Sequence, residues 1–440
     1  MKLVEIIADI VCETLMNPSL LEKARRRKGA FTRNCGKLPF WTMMKLLISN
    51  IKKSISSTLD EFFTAIRKQA GMPASDTPMC SQQAFSKARS GIDHTLFKEC
   101  FVRVLDFLCS DSSREYHKRL GSVWGIQFIA IDGSKIPLPN RSALRNKYGG
   151  LGRGASSPSA IASIAYDVLN ETILDAQFEP LSVDERSLAI MHLEAIKAQN
   201  RVNLFNSVFV FDRGYASKEL ISFIENDIGT RYLFRLRDKF NNEIDALSVP
   251  DTMDAIVDQV FELYEGIKVR VLRFLLPSGI VETLITNDFE SDKRLFKEYY
   301  FYRWPVEEEY KLIKEKVGLI CFRGYSENSI LQEFWIAMLI TNLANAIKRS
   351  TDGIIRYNHP DGAGLKHAYK SNMNELIGVL SRDFPEYMDA DTVSEKRSII
   401  KHIFDFVVSH PVVDKKGSGE SNPREQSRST KYCYNFKFTH

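Results

Sequence analysis

Two continuous apolar segments, each ending in an aspartate, constrain the fold of this chain more than any other feature of its sequence. The first segment, "GIQFIAID", ends at Asp132, and the second, "SVFVFD", ends at Asp212. Apolar runs without alternation are typical of strands that are buried on both faces, as in the parallel sheets of α/β proteins. If the two strands are neighbours, their aspartates lie side by side at the carboxyl edge of a sheet.

The segments around these strands predict the rest of the architecture. Residues 1–120 carry apolar side chains at helical spacing. "AIASIAYDVLNETILDAQFEP" predicts two strands that turn at Asn170, and a helix separates this pair from the second aspartate strand. Residues 238–290 predict strands joined by a Pro-Ser-Gly turn, preceded by a helix over "DTMDAIVDQVFELY". The predicted fold class is therefore α/β, with a mixed sheet flanked by helices.

Composition excludes several classes of protein. A hydrophobic fraction of 44% describes a folded globular chain, and a net charge of only +5 means that any affinity for nucleic acid comes from local clusters. Seven cysteines without a CxxC pair support neither a disulfide framework nor a zinc site, and they predict a reduced cytoplasmic setting. The segment "FWIAMLITNLANAI" is too short and too polar for a membrane span, so we expect a buried helix and no membrane partner.

The two aspartates predict metal chemistry if they are neighbours. A single acid at the end of a strand is usually a turn residue or a helix cap. Two close carboxylates repel each other, and they share a cleft only if a cation or a proton compensates their charge. With no histidine or cysteine ligands nearby, coordination by oxygen alone suits Mg²⁺ or Mn²⁺.

A third acidic residue is expected from residues 298–316, "EYYFYRWPVEEEYKLIKEK", where three consecutive glutamates lie on a predicted helix. The simplest interpretation is a solvated helix, since charge runs usually face water. Apolar residues at helical spacing define the buried face of this helix: Val306, Tyr310, Ile313 and Val317. At about 100° per residue, Glu308 points away from that face, while Glu307 and Glu309 lie on its borders. The spacing alone leaves Glu307 and Glu309 as candidates.

Four residues of this segment fall at the spacing Y-x2-R-x3-E-x6-K: Tyr300, Arg303, Glu307 and Lys314. This pattern resembles the signature of DDE transposases of the insertion-sequence-four family. "IAIDGSKI" and "FVFDRGY" are similar to the two aspartate strands of that family. The resemblance covers residues 121 to about 349, implies an RNase H-like core, and selects Glu307 as the third carboxylate.

The resemblance and the segment pattern together predict a division into five regions. They are an all-α N-terminal DNA-binding domain at 1–120, the first part of the catalytic core at 121–237, an inserted β-rich subdomain at 238–290, the second part of the core with the Glu307 helix at 291–349, and a C-terminal helical region with a basic and aromatic tail at 350–440. The tail ends in "KYCYNFKFTH", whose aromatics alternate as in a short strand or an arm that adds to a partner.

The resemblance also implies a mechanism and its residues. Asp132, Asp212 and Glu307 would be the catalytic acids and would hold two Mg²⁺ ions, with Mn²⁺ able to substitute. The residues expected to contact DNA are Tyr300, Arg303, Trp304, Lys314, Arg213, Lys311 and Arg323 in or near the core, and Lys87 and Arg89 on the predicted N-terminal helix "QQAFSKAR". The simpler alternatives are salt bridges within the helix for the charged residues, a buried core position for Trp304, and a solvated basic face for Lys87 and Arg89.

The implied partners are the double-stranded DNA of the element's ends and of the target, held by a homodimer in the bacterial cytoplasm at the nucleoid. Two other interpretations compete with the transposase hypothesis. An RNase H-like nuclease would use the same metals without strand transfer, and a transposase-derived DNA-binding protein would have lost catalysis. A glycosidase with paired carboxylates is disfavoured, because the surroundings of Glu307 are basic and aromatic.

Overall fold

A computed structural model of the chain describes residues 1–31, 38–49, 55–69, 71, 73, 80–114, 125–264, 266–360 and 367–414. The chain divides into two compact units. The first unit comprises Met1–Leu108, Leu138–Leu144 and Leu312–His440, and the second comprises Cys109–Pro137 and Arg145–Lys311. The alternating aromatic residues near the C-terminus, predicted as a strand or an arm, lie outside the described residues.

The described helices are, in chain order, α1 (Lys2–Met16), α2 (Pro18–Ala24), α3 (Phe40–Ile48), α4 (Ile55–Gln69), α5 (Gln82–Arg89), α6 (Thr95–Cys109), α7 (Asp111–Arg114), α8 (Ser142–Tyr148), α9 (Glu185–Gln199), α10 (Lys218–Phe223), α11 (Asn242–Asp245), α12 (Phe296–Phe301), α13 (Trp304–Lys311), α14 (Glu327–Asn358), α15 (Met373–Asp389) and α16 (Val393–Ser409). The described strands are β1 (Gln127–Pro137), β2 (Gly150–Leu151), β3 (Ser157–Asp167), β4 (Thr172–Pro180), β5 (Ser207–Phe211), β6 (Arg231–Arg235), β7 (Ile256–Glu262), β8 (Lys268–Leu275), β9 (Val281–Thr286), β10 (Ala368–Ser371) and β11 (Pro411–Asp414).

A mixed sheet of nine strands forms the centre of the second unit. Its strands follow the order β2-β3-β1-β5-β6-β9-β8-β7, and β4 pairs with β3. β1 runs parallel to β5 and β5 runs parallel to β6, whereas the hairpin of β3 and β4 is antiparallel to β1. An antiparallel hairpin beside three parallel strands is the RNase H-like arrangement, so the predicted fold class is confirmed.

The two strands that carry the aspartates are buried as predicted. Every residue of β5 is buried, and so are the four residues of β1 from Phe128 to Ile131. Strands with both faces covered remove their apolar side chains from water completely, at about 25 cal/mol per Å² of apolar surface. The uninterrupted apolar run is thus the sequence signal of a strand in the middle of this sheet.

Residues 238–290 differ from their predicted secondary structure at one point. The helix predicted over residues 251–264 is wrong, because β7 occupies residues 256–262 and pairs antiparallel with β8 along its whole length. The apolar residues of this segment have helical spacing. The segment is nevertheless a strand, which is stabilised by its ladder with β8 and by the Arg270–Asp258 ion pair (2.7 Å). Through the pairing of β9 with β6, the three strands extend the central sheet.

The first unit is helical apart from the two-stranded sheet of β10 and β11. The helices predicted before residue 110 are present as α1, α3, α4 and α6, and the Ser81 hydroxyl caps α5 by accepting from the Ala84 N–H at 3.2 Å. Among the described helices, α14 alone is long and apolar enough to cross a membrane by length and composition, yet 89% of its most apolar window is buried inside the protein. The predicted burial is therefore confirmed, although the helix is longer than its apolar core suggested.

Candidate active site

Strand pairing brings Asp132 and Asp212 to equivalent positions on neighbouring strands. The last parallel pair between β1 and β5 is Ala130 with Val210, and each aspartate lies two residues beyond its member of that pair. The prediction that the two aspartate strands are neighbours is therefore confirmed by the register. One detail differs from the prediction: β1 does not end at Asp132 but continues to Pro137, because its second half still pairs with β3.

The surroundings of Asp132 disfavour its negative charge. Burial raises the pKa of Asp132 to about 6, and the charges of Glu185 and Glu307 act in the same direction. The Gly133 N–H, which donates to Asp132 Oδ1 at 2.9 Å, and the nearby Arg303 oppose this rise. A carboxylate that is desolvated and faces other acids needs a cation to stay ionised at neutral pH.

The three consecutive glutamates lie on α13, and their exposure follows the predicted helical face. Val306 and Tyr310 are buried, and Glu308 is exposed and pairs with Lys311. Glu309 is buried with 7% of its surface exposed, whereas the Glu307 side chain is 37% exposed. The charge of Glu307, one of the two glutamates that the helical spacing left open, acts on Asp132.

Two basic and aromatic residues of the sequence signature contact the acids. Tyr300 Oη donates to Asp212 Oδ1 at 3.1 Å, and burial, together with the Asp212 charge, raises the pKa of this tyrosine, so it is a protonated donor at neutral pH. Arg303 Nη1 donates to Glu307 Oε1 at 2.6 Å, and its guanidinium lies over the Tyr300 ring, 5.7 Å from the centroid. The salt bridge that the simpler alternative predicted is therefore present for Arg303.

Three further residues that we predicted to contact DNA lie in the second unit. Trp304 is 46% exposed, which rules out the buried core position that was the alternative for it. Arg213 is exposed directly after Asp212. Lys311 is exposed and is already paired with Glu308. These three positions leave a ring and cationic groups accessible to a nucleic acid on this unit.

The remaining predicted DNA contacts belong to the first unit: Lys314, Arg323, Lys87 and Arg89. Lys87 is exposed, as a phosphate contact requires. The prediction that Arg89 contacts DNA is wrong, because only 4% of this residue is exposed. Its guanidinium donates to Gln332 (2.7 Å), Glu333 (2.8 Å) and the Ser329 carbonyl (2.6 Å). A guanidinium whose donors are used in this way joins α5 to α14 and is not presented to DNA.

The donor chemistry around Asp132 fits a hard divalent cation. The Tyr215 hydroxyl and Arg303 Nε are buried without a hydrogen-bond partner among the described residues, and Asp132 and Asp212 are among the charges that act on Tyr215. Unpartnered N–H and O–H donors mark positions where an acceptor, such as a water or a phosphate oxygen, completes the network, so the fit to a cation rests on the carboxylates. Oxygen ligands without histidine or cysteine suit Mg²⁺ or Mn²⁺.

The acids are not drawn together in this conformation. Within the described part of the chain, no three acidic, histidine or cysteine side chains lie close enough to hold one metal ion. In this conformation Arg303 pairs with Glu307, and Tyr300 donates to Asp212. A metal ion at these residues would compete with Arg303 for the Glu307 carboxylate.

Sequence reasoning missed three residues at this site. Tyr310 was assigned only to the buried face of α13, yet its hydroxyl donates to the Asp132 carbonyl at 2.8 Å. Glu185, the first residue of α9, acts on Asp132 more strongly than Glu307 does. Glu282 of β9 is buried beside Arg235 (3.3 Å), and Asp212 contributes to its raised pKa after burial. The one available signal was the acidic Glu282 within a predicted strand. Glu185 gave no signal, because an acidic residue in the first turn of a helix is ordinary.

Comparison with known proteins decides the family of this chain. Residues 124–343, half of the chain, match the family described as "Transposase DDE domain". The chain belongs to this family. The matched residues include both aspartate strands and the whole of α13.

One solved structure similar to this transposase is the cryo-EM structure of the piggyBac transposase synaptic complex with hairpin DNA. The two chains align with a TM-score of 0.49 at 10% identity, over 94% of this chain and 87% of that chain. No curated protein sequence matches the transposase. DDE transposases generally use divalent metal ions, in agreement with the all-oxygen donor set described above.

Proposed function

We propose that this transposase binds the terminal inverted repeats of an insertion sequence, cleaves the DNA at those ends and joins them to target DNA. It would be a member of the insertion-sequence-four family, whose signature its sequence resembles. The observation that carries the proposal is the parallel register of β1 and β5, which puts Asp132 and Asp212 at equivalent positions on adjacent strands. Glu307 acts electrostatically on Asp132 from α13 and completes the acidic set.

Asp132, Asp212 and Glu307 would hold two Mg²⁺ ions through their carboxylate oxygens. When bound, such ions activate the attacking water or 3′-hydroxyl and stabilise the leaving oxygen of an in-line displacement. The burial that raises the pKa of Asp132 also excludes water, which strengthens every charge interaction in the site.

Arg303 and Tyr300 would then act on the DNA backbone. Each is now engaged with an acid, Arg303 with Glu307 and Tyr300 with Asp212, and both groups can donate equally well to a phosphate oxygen. Arg213 and Lys311 are exposed and extend the cationic surface, and Lys314 completes the signature in sequence. Trp304 presents an accessible ring on which a flipped terminal base would stack.

The N-terminal helices, with the exposed Lys87, would contribute to recognition of the element's ends, and the chain would act as a homodimer that holds two ends together. Phosphate contacts of this kind make binding strongly salt-dependent. End recognition, dimer formation and cleavage would take place together at the nucleoid in the cytoplasm.

A single assay separates the proposal from its two competitors. Full-length protein is incubated with DNA that carries the element's ends and with a supercoiled target, in Mg²⁺ or in EDTA. The proposal predicts Mg²⁺-dependent cleavage at the ends, followed by joined products. Cleavage without joined products would favour a nuclease, and binding of the ends without any cleavage would favour a DNA-binding protein that has lost catalysis.

A further inference from the structure

The backbone carbonyl of Asp132 is held by two side-chain hydroxyls. Tyr310 Oη donates to this carbonyl at 2.8 Å, and Ser163 Oγ donates to it at 2.9 Å. In an antiparallel ladder, a strand carbonyl ordinarily accepts from an N–H of the neighbouring strand. Asp132 lies opposite Ile164 in the β1–β3 ladder, and at this position two side-chain hydroxyls donate to its carbonyl.

Tyr310 reaches this ladder from the helix that carries Glu307. Its ring is buried, and its hydroxyl also lies 3.0 Å from the Ala162 carbonyl and accepts from the Ile164 amide. The hydroxyl is thus inserted between β1 and β3. Tyr310 follows Glu307 by three residues, about one helical turn. One hydroxyl therefore connects the backbone of one candidate metal ligand to the helix of another.

Ser163 is held in turn by a buried histidine and aspartate. His192 Nε2 lies 2.9 Å from Ser163 Oγ, and His192 Nδ1 lies 2.6 Å from Asp175 Oδ2. The serine hydroxyl has one proton, and because it donates that proton to the Asp132 carbonyl, it accepts from His192 Nε2–H. Both Ser163 and His192 are fully buried, so Ser163 is no nucleophile and the chain of hydrogen bonds ends at the Asp132 backbone.

We propose that Tyr310 is a positioning residue that sets the placement of Asp132 relative to Glu307, with Ser163 and its histidine partner as the second support. The inference rests on the proposed function, in which these two acids are metal ligands. Hydrogen-bond partners that orient metal ligands typically contribute about 10- to 100-fold to metal affinity when they are removed. Loss of the Tyr310 hydroxyl should therefore weaken metal binding without removing any ligand.

The matched control is Tyr232, another buried tyrosine of the same unit, whose hydroxyl donates to Glu225 at 2.9 Å. The substitutions Tyr310→Phe and Tyr232→Phe each remove one hydroxyl from a buried ring. Mn²⁺ binding to the full-length chain is titrated by electron paramagnetic resonance, and thermal unfolding of each variant is measured alongside. Binding of end DNA in EDTA is also measured, to check that each substitution leaves the DNA-binding surface unchanged.

The inference predicts that both variants lose similar, modest stability, and that Tyr310→Phe alone weakens Mn²⁺ binding, by about tenfold or more. Ser163→Ala should weaken it in the same direction, and this variant decides the matter if Tyr310→Phe does not fold. Equal Mn²⁺ binding in the wild type, Tyr310→Phe and Ser163→Ala would overturn the inference and leave the proposed function intact. A wild-type protein that binds no Mn²⁺, either alone or with end DNA, would instead remove the proposed function, and the inference with it.

Discussion

Arg303 and Glu307 form an ion pair with 2.6 Å between Nη1 and Oε1, so that the candidate phosphate ligand and a candidate metal ligand neutralise each other. The same nitrogen cannot serve both the carboxylate and a DNA phosphate at full strength. A phosphate that binds Arg303 would compete with Glu307 for the guanidinium, and a metal ion would compete with Arg303 for the carboxylate. The ion pair therefore predicts that metal binding and DNA binding are coupled.

Arg303→Ala should tighten Mn²⁺ binding to the DNA-free protein and weaken cleavage of end DNA. The first effect follows because Glu307 loses its cation, and the second because a phosphate contact is lost. Calorimetric titration without DNA measures the first effect. Arg294→Ala is the control, since this residue forms an Arg–carboxylate pair with Asp292 at 2.6 Å on an exposed surface of the same unit. Unchanged Mn²⁺ binding in Arg303→Ala would contradict the coupling.

Asp132→Asn should stabilise the metal-free protein at pH 7 while it abolishes cleavage. The folded-state pKa of Asp132 is about 6, above the usual value of roughly 3.9, so the folded state binds the proton more readily and stability falls as pH rises through this window. The full shift corresponds to about 2–3 kcal/mol at pH 7. Urea denaturation of the wild type and Asp132→Asn in EDTA at pH 7 measures this difference, which should be smaller at pH 5. Glu185→Gln should act in the same direction but less. An Asn variant less stable than wild type at pH 7 would refute this electrostatic account.

Trp304→Ala should leave folding intact and impair only the processing of the DNA end. A buried tryptophan would cost about 3–5 kcal/mol, whereas an exposed ring costs less than about 1 kcal/mol. Stacking of one base contributes about 1–3 kcal/mol, so the end-processing rate should fall by about tenfold or more. Phe301→Ala, which also removes an exposed ring, is the control and should leave that rate unchanged. A large drop in melting temperature for Trp304→Ala would show that the ring is needed for packing.

Substitutions of Lys87 and Arg89, which lie on the same helix, should have different effects: the first on DNA binding and the second on stability. Arg89→Ala removes the partner of Glu333 and Gln332 and should destabilise the protein by about 3 kcal/mol or more. Lys87→Ala should leave stability unchanged and reduce the salt dependence of DNA binding by about one counterion. Thermal unfolding and DNA titration over a range of salt concentrations measure the two effects. Equal stability of the two variants would contradict the structural role assigned to Arg89.

The sequence predicted those parts of the site that depend on local periodicity. The apolar runs before Asp132 and Asp212 identified their strands, and helical spacing separated the exposed Glu308 from its neighbours. Contacts between distant segments left no local pattern. The hydroxyl of Tyr310, the charge of Glu185 and the burial of Arg89 each depend on a partner more than a hundred residues away or on another element, and β7 adopted the structure that its pairing with β8 required.

The most direct test of the central claim compares Glu307→Gln with Glu308→Gln in Mg²⁺-dependent cleavage of end DNA, with binding followed in the same samples. The two glutamates are adjacent on α13, and Glu308 is exposed and paired with Lys311. The account predicts that Glu307→Gln abolishes cleavage but still binds end DNA, while Glu308→Gln both cleaves and binds it normally. Normal cleavage by Glu307→Gln would show that Glu307 is not a ligand and that the proposed three-carboxylate site is wrong.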